Sequence, residues 1–268
     1  MRDLHMHTVF SDGKNTPEEM VAAAIEKGLD TVGISDHSHA SSDPCGMRLE
    51  DREAYRREIA RLKTVYGDRI RVLCGLERDF YSDDFDDYDY VIGSVHSIRM
   101  PDGYDLCVDW EADRLQRDVD RYFGGDWYGL AEAYYEVEAR VAEVTRCDII
   151  GHFDLVTKFN EQGGFFDENH PRYVQAWQRA ADRLLAAGKP FEINTGAISR
   201  GYRTGPYPSP AMREYILRQG GSLLLSSDAH RKEDIVFQFD RWQKETSSSF
   251  SEKYGWLPPI RNTDGFLP

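Results

Sequence analysis

The chain has 268 residues, which suits one large α/β domain better than two small ones, and its 40% hydrophobic and 12% aromatic content is enough for a substantial core. The formal net charge of −14 disfavours long polyanions such as extended nucleic acid, yet leaves room for a small phosphorylated ligand whose site reverses the field locally. No run approaches the ~20 apolar residues of a membrane span. The opening MRDLHMHT lacks the apolar stretch of a signal peptide. Four scattered cysteines (Cys45, Cys74, Cys107, Cys147), with no CxxC pair, fit free thiols in a reducing cytoplasm.

In chain order, apolar runs predict strands near 2–5, 30–35, 70–77, 89–95, 147–152, 190–194 and 222–227, with helical patterns between them. Thr16-Pro17-Glu18-Glu19 is a capping box with proline at the first helical position, and Gly28 closes that helix. Within 51–66, Tyr55, Ile59, Leu62 and Tyr66 recur at helical spacing. The region 100–146 is longer than one crossover needs, so a lid or extra helices are expected there, with GGDW (124–127) as a turn between two helices. Helices are also expected over 170–188 and 208–220, and an irregular tail over 245–268. Seven strands separated by helices require parallel pairing through right-handed crossovers, in an open sheet or a barrel. No GxGxxG or P-loop favours the open sheet.

Seven of the eight histidines fall at the ends of these strands or just beyond them: His5 and His7, His37 and His39, His96, His152 and His230. His170, before Pro171 at a helix start, reads as structural. Strand ends form the active face of a parallel α/β barrel. Glu77, Asp228, Asp36 and Asp12 stand at equivalent places. Imidazoles and carboxylates without cysteine suit Zn²⁺, Mn²⁺ or Fe²⁺. His5, His7, Asp12, His37, Glu77, His96, His152, Asp228 and His230 are too many ligands for one ion and would serve two or three, with Glu77 bridging. Asp36 is a candidate for orienting an imidazole. Clustered cations attract phosphate and acidify bound water, so the chemistry implied is hydrolysis by a metal hydroxide.

The segments HMHTVFSDG, SDHSH, GLERDF, YDYVIGSVHSI, IIGHFDLVTKF, EINTGAISR and SSDAH resemble, in order, the motifs of the PHP (polymerase and histidinol phosphatase) superfamily, the last four most like its histidinol-phosphate phosphatase branch. The likeness spans roughly residues 3–240 and implies a single domain with a distorted seven-stranded (β/α) barrel. It implies three metals: one on His5, His7, Glu77 and Asp228, a second on Glu77, His96 and His152, a third on Asp12, His37 and His230. It also implies phosphate anchors at Lys158 and Arg200, with Arg203 a further candidate. The expected reaction is hydrolysis of L-histidinol phosphate by a metal-bridging hydroxide, with Asp228 and Glu77 at the reacting centre and Asp154 or His39 giving the leaving alkoxide its proton. No Asp-x-Asp or Cys-x5-Arg motif points to a phosphoenzyme. Three alternatives stay open: a PHP phosphoesterase acting on nucleotide phosphoesters or short oligonucleotides, a metal-dependent amidohydrolase, and a non-catalytic metal-binding module.

Overall fold

The computed structural model describes residues 1–40 and 44–245. From residue 246 onward the expected irregular tail lies outside the described residues. Among the described residues nine strands are present: β1 (Arg2–Asp3), β2 (Thr31–Ile34), β3 (Arg71–Asp79), β4 (Tyr90–Ser94), β5 (Ser97–Arg99), β6 (Asp105–Cys107), β7 (Ile149–Ile150), β8 (Phe191–Asn194) and β9 (Leu223–Ser226). Seven of them make one parallel sheet in the order β1-β2-β3-β4-β7-β8-β9. A parallel bridge between Met6 and Ala229, with the His7 amide donating to the Ala229 carbonyl at 2.9 Å, brings the two edges together. The expected seven-stranded barrel is therefore nearly closed, and closed at its C-terminal rim.

Most crossovers carry the helices that the sequence predicts. Pro17–Glu26 begins at Thr16, whose side chain and that of Glu19 cap each other's backbone, and Gly28 follows at a φ of +75°. Arg52–Tyr66 buries Tyr55, Ile59 and Leu62. Helices Ala112–Phe123 and Trp127–Glu138 flank the turn at 124–126. Pro171–Ala186 starts at His170, whose ring accepts the Arg172 amide proton at 3.3 Å and stacks on Tyr128, so this histidine is structural.

Three details differ from the sequence reading. Residues 80–89, between β3 and β4, hold no helix. The ladders of β1 and β7 are only two residues long, because the chain turns to the rim soon after each pairing. Residues 97–107 form an antiparallel hairpin, β5–β6, outside the barrel.

A compact group of Leu4, Leu73, Tyr90, Ile92, Ile149 and Leu224 fills the barrel interior. Side chains alternate along a strand, so the inward position of Leu73 carries through to Glu77 and Asp79 at the far end of β3. The same alternation runs from Ile92 through Ser94 toward His96. The apolar plug is thus the floor on which the polar rim stands.

Candidate metal centre

Glu77 is the hub of that rim. Its Oε2 lies 2.8 Å from His37 Nδ1, 3.2 Å from His5 Nε2 and 3.5 Å from His7 Nε2. Its Oε1 lies 2.8 Å from His152 Nε2 and 3.4 Å from His96 Nε2, and accepts the Ser94 hydroxyl proton at 2.6 Å. Asp228 closes the opposite side, with Oδ1 at 3.2 Å from His7 Nε2 and 3.8 Å from His5 Nε2. It stands just past β9 at a φ of +50°, a left-handed conformation that aspartate tolerates better than most residues. At the mouth, Asp12 Oδ1 lies 3.2 Å from His230 Nε2 and 3.7 Å from His37 Nε2. All nine expected ligand side chains therefore converge.

Eight of the nine supply donor atoms to three groups, each within 4.8 Å: His5, His7 and Asp228; His37, Glu77 and His96; and His7, Asp12, His37 and His230; His152 joins none of these and meets the cluster through Glu77 Oε1. The groups share His7 and His37, and Glu77 stands with His37 and His96, whereas the sets that the resemblance implied shared Glu77 alone. Donor chemistry fits divalent cations. His5 Nε2, both ring nitrogens of His7, His152 Nδ1, Asp12 Oδ1 and Glu77 Oε2 are buried without a hydrogen-bond partner. Each such orphan costs about 1–3 kcal/mol, and a cation would satisfy several at once. Burial, followed by the charges of His230 and His37, pulls His7 down to about 3, which keeps it in the neutral form that coordinates metal. Burial opposes ionisation of Glu77 as well, but the charges of His37, His5 and His96 hold it well below the usual carboxylate range.

The PHP domain model matches residues 3–196 of the sequence. The chain belongs to the PHP domain family. A relative in Deinococcus radiodurans, named "probable histidinol-phosphatase", is 30% identical over 256 residues, 91% of each chain. The histidinol-phosphatase of Bacillus subtilis is 25% identical across 89% of this chain and 97% of its own. The histidinol phosphate phosphatase of Lactococcus lactis, solved with zinc, L-histidinol and phosphate, superposes with a TM-score of 0.66 at 19% identity and covers 91% of both chains. That likeness carries the PHP fold.

A cavity of about 390 Å³ opens over the PHP rim. Lys158 and Arg200 both line it, as the resemblance implied for phosphate anchors. Arg200 Nη2 lies 2.9 Å from Asp228 Oδ2, and its Nη1 donates to the Asp228 carbonyl at 2.9 Å. Gly196 makes that pair possible, since a Cβ there would come within 2.7 Å of Asp228 Oδ2 and 2.8 Å of Arg200 Nη2. Lys158 Nζ donates to the Asp109 carbonyl at 2.6 Å.

Four other candidates lie elsewhere. Arg203, 8% exposed, does not line the cavity; it pairs with the fully buried Asp154 at 3.6 Å and donates to the Thr157 hydroxyl. Asp154, which accepts the Ser209 amide proton at 3.0 Å, is off the cavity wall too. The His39 ring is 3.3 Å from Asp83 and away from the wall, because its loop turns outward after His37. Asp36 orients no imidazole: it binds the Thr8 amide and the Thr8 and Ser11 hydroxyls, and so braces the loop that carries Asp12.

Sequence reasoning missed three carboxylates. Glu192 Oε1 is 2.7 Å from His5 Nδ1, while its Oε2 accepts the His152 amide proton at 3.1 Å. Asp79 Oδ2 is 3.2 Å from His96 Nδ1. Both fix a ring orientation from the outside, as supporting carboxylates do in metal sites. Asp109 lines the cavity beside Lys158. The signals were present: Glu192 is a lone acid within the strand FEIN, and Asp79 is two residues beyond Glu77 on the same strand face.

Proposed function

We propose that this protein is a metal-dependent phosphomonoester hydrolase that converts L-histidinol phosphate and water to L-histidinol and phosphate. One observation carries the reading: a carboxylate-centred ring of imidazoles shares a cavity with Lys158 and Arg200. The curated relatives named histidinol-phosphatase support the choice of ester, since two of them align along about nine-tenths of this chain.

Two or three divalent ions would be held by His5, His7, Asp12, His37, Glu77, His96, His152, Asp228 and His230. Zinc is the ion in the Lactococcus lactis structure, and manganese and iron suit the same donors. When bound, such ions acidify water and neutralise phosphoryl charge. The chain's own groups do the rest. Arg200, whose two terminal nitrogens are held by Asp228, and Lys158 both line the cavity and would bring positive charge to the phosphoryl oxygens. Arg200 is held by Asp228 before substrate arrives, so it stabilises the developing charge with little reorganisation. Glu192 and Asp79 keep the rings of His5 and His96 turned inward. Among the described residues no helix is long and apolar enough to cross a membrane.

Inorganic phosphate release from L-histidinol phosphate, set beside nucleoside bisphosphates and short oligonucleotides, tests this reading. Turnover of L-histidinol phosphate at least tenfold above the nucleotides in kcat/KM is expected. Preferred turnover of the nucleotides would transfer the protein to the alternative PHP phosphoesterase class.

A further inference from the structure

Five carboxylates line the cavity: Asp12, Glu77, Asp105, Asp109 and Asp228. Three belong to the metal centre. Asp105 is clamped by Arg99, whose Nε and Nη2 reach it at 2.7 and 3.0 Å. Asp109 differs. Its Oδ1 accepts a hydrogen bond from the Cys107 thiol at 3.1 Å. Among the described residues, the one cation paired with it is Lys158, 3.4 Å from Oδ2. The hairpin fixes its position. The amide of the preceding Val108 donates to the carbonyl of His96 at 2.9 Å, so Asp109 is tied directly beside a metal-centre residue.

Lys158 therefore faces two anions in turn. It is held by the Asp109 carbonyl and carboxylate. A phosphoryl group in the cavity would compete with Asp109 for it. Asp109, whose side chain is only 25% exposed, would then lose its one paired cation, close to a phosphate that repels it. An ester that brings its own cation removes this conflict. In L-histidinol phosphate the ammonium is two carbons from the ester oxygen, a span that keeps it near the phosphoryl group.

Resting on the function proposed above, we propose that Asp109 receives the ammonium of the leaving group as Lys158 moves to the phosphoryl group. The site thereby selects amino-alcohol phosphates over neutral-alcohol phosphates. Asp109 acts as a specificity residue through this exchange of ion pairs.

The experiment compares L-histidinol phosphate with its des-amino counterpart, an imidazolylpropyl phosphate, on the metal-loaded full chain and on Asp109→Asn. Calorimetric binding of the two product alcohols accompanies the kinetics. The wild type should favour the amino ester in kcat/KM by about 10- to 100-fold, chiefly through KM, the range expected of one charge-assisted contact. Asp109→Asn should lose that preference, its kcat/KM falling about 10- to 100-fold further on the amino ester than on the des-amino ester. L-Histidinol should bind the wild type more tightly than the des-amino alcohol does. A preference untouched by the substitution, or an equal loss on both esters, overturns the role of Asp109 and leaves the phosphatase reading standing. No wild-type turnover of L-histidinol phosphate at full metal loading overturns the phosphatase reading itself. If Asp109→Asn does not fold, equal binding of the two alcohols to the wild type overturns the inference.

Discussion

His5 Nδ1 and Glu192 Oε1 lie 2.7 Å apart in the fully buried floor of the metal centre. The contact fixes which ring nitrogen of His5 faces Glu77 and Asp228. Glu192→Gln keeps the shape and removes the charge. The variant should lose about 10- to 100-fold in metal affinity, as removal of a supporting carboxylate does elsewhere. Chelator competition reads this directly, and an unchanged affinity would show that His5 needs no such partner.

Glu77 is approached by five imidazoles within 3.5 Å. Glu77→Gln should therefore exceed the about 100-fold loss of a supporting group in metal affinity, and phosphate release should fall with it. Retention of full metal content in that variant would remove Glu77 from the hub.

Arg200 and Arg203 separate two roles that look alike in sequence. Arg200→Ala should cost about 100-fold or more in kcat, as loss of a charge-stabilising donor does. Arg203→Ala should instead destabilise the fold by about 3 kcal/mol, because it leaves Asp154 buried without its partner. Urea unfolding measures the second effect and phosphate release the first. The expected signature is a stability loss in one variant and an activity loss in the other.

Glu138 gives a pH-dependent prediction. It is 1% exposed at the end of Trp127–Glu138, and its Oε1 has no hydrogen-bond partner. Burial, opposed by the charge of His96, pushes its carboxyl well above the ordinary value. The folded chain then holds a proton that the unfolded chain releases, so this group's contribution is complete below the ordinary carboxylate value and is lost as pH rises toward the folded one. Glu138→Gln removes the loss. Its stability relative to the wild type should rise with pH, by up to about 1.4 kcal/mol per pH unit in that window. A difference that stays flat between pH 5 and 8 would show that the carboxyl ionises freely.

The metal centre was legible because a parallel barrel delivers strand ends to one rim, and HxH, DHSH, SVH, IIGH and DAH all stand at strand ends. The barrel itself followed from the repeating strand–helix pattern. Less visible was anything decided by a side chain's direction after its strand ends. Arg200 and Arg203 sit three residues apart after β8, yet one points to Asp228 and the other to Asp154. The β5–β6 hairpin escaped because its strands are three residues long, although Pro101-Asp102-Gly103 is a strong turn signal. Missing the hairpin also hid Asp109, whose place beside His96 comes from that pairing.

The most direct measurement is the metal content of the purified chain, titrated from metal-free to saturated, with phosphate release from L-histidinol phosphate followed at each step. Two or three ions per chain, with turnover absent from the metal-free protein and rising with occupancy, is the expected result. Full turnover by a chain stripped of metal, or saturation without any ion bound at these nine side chains, would contradict it.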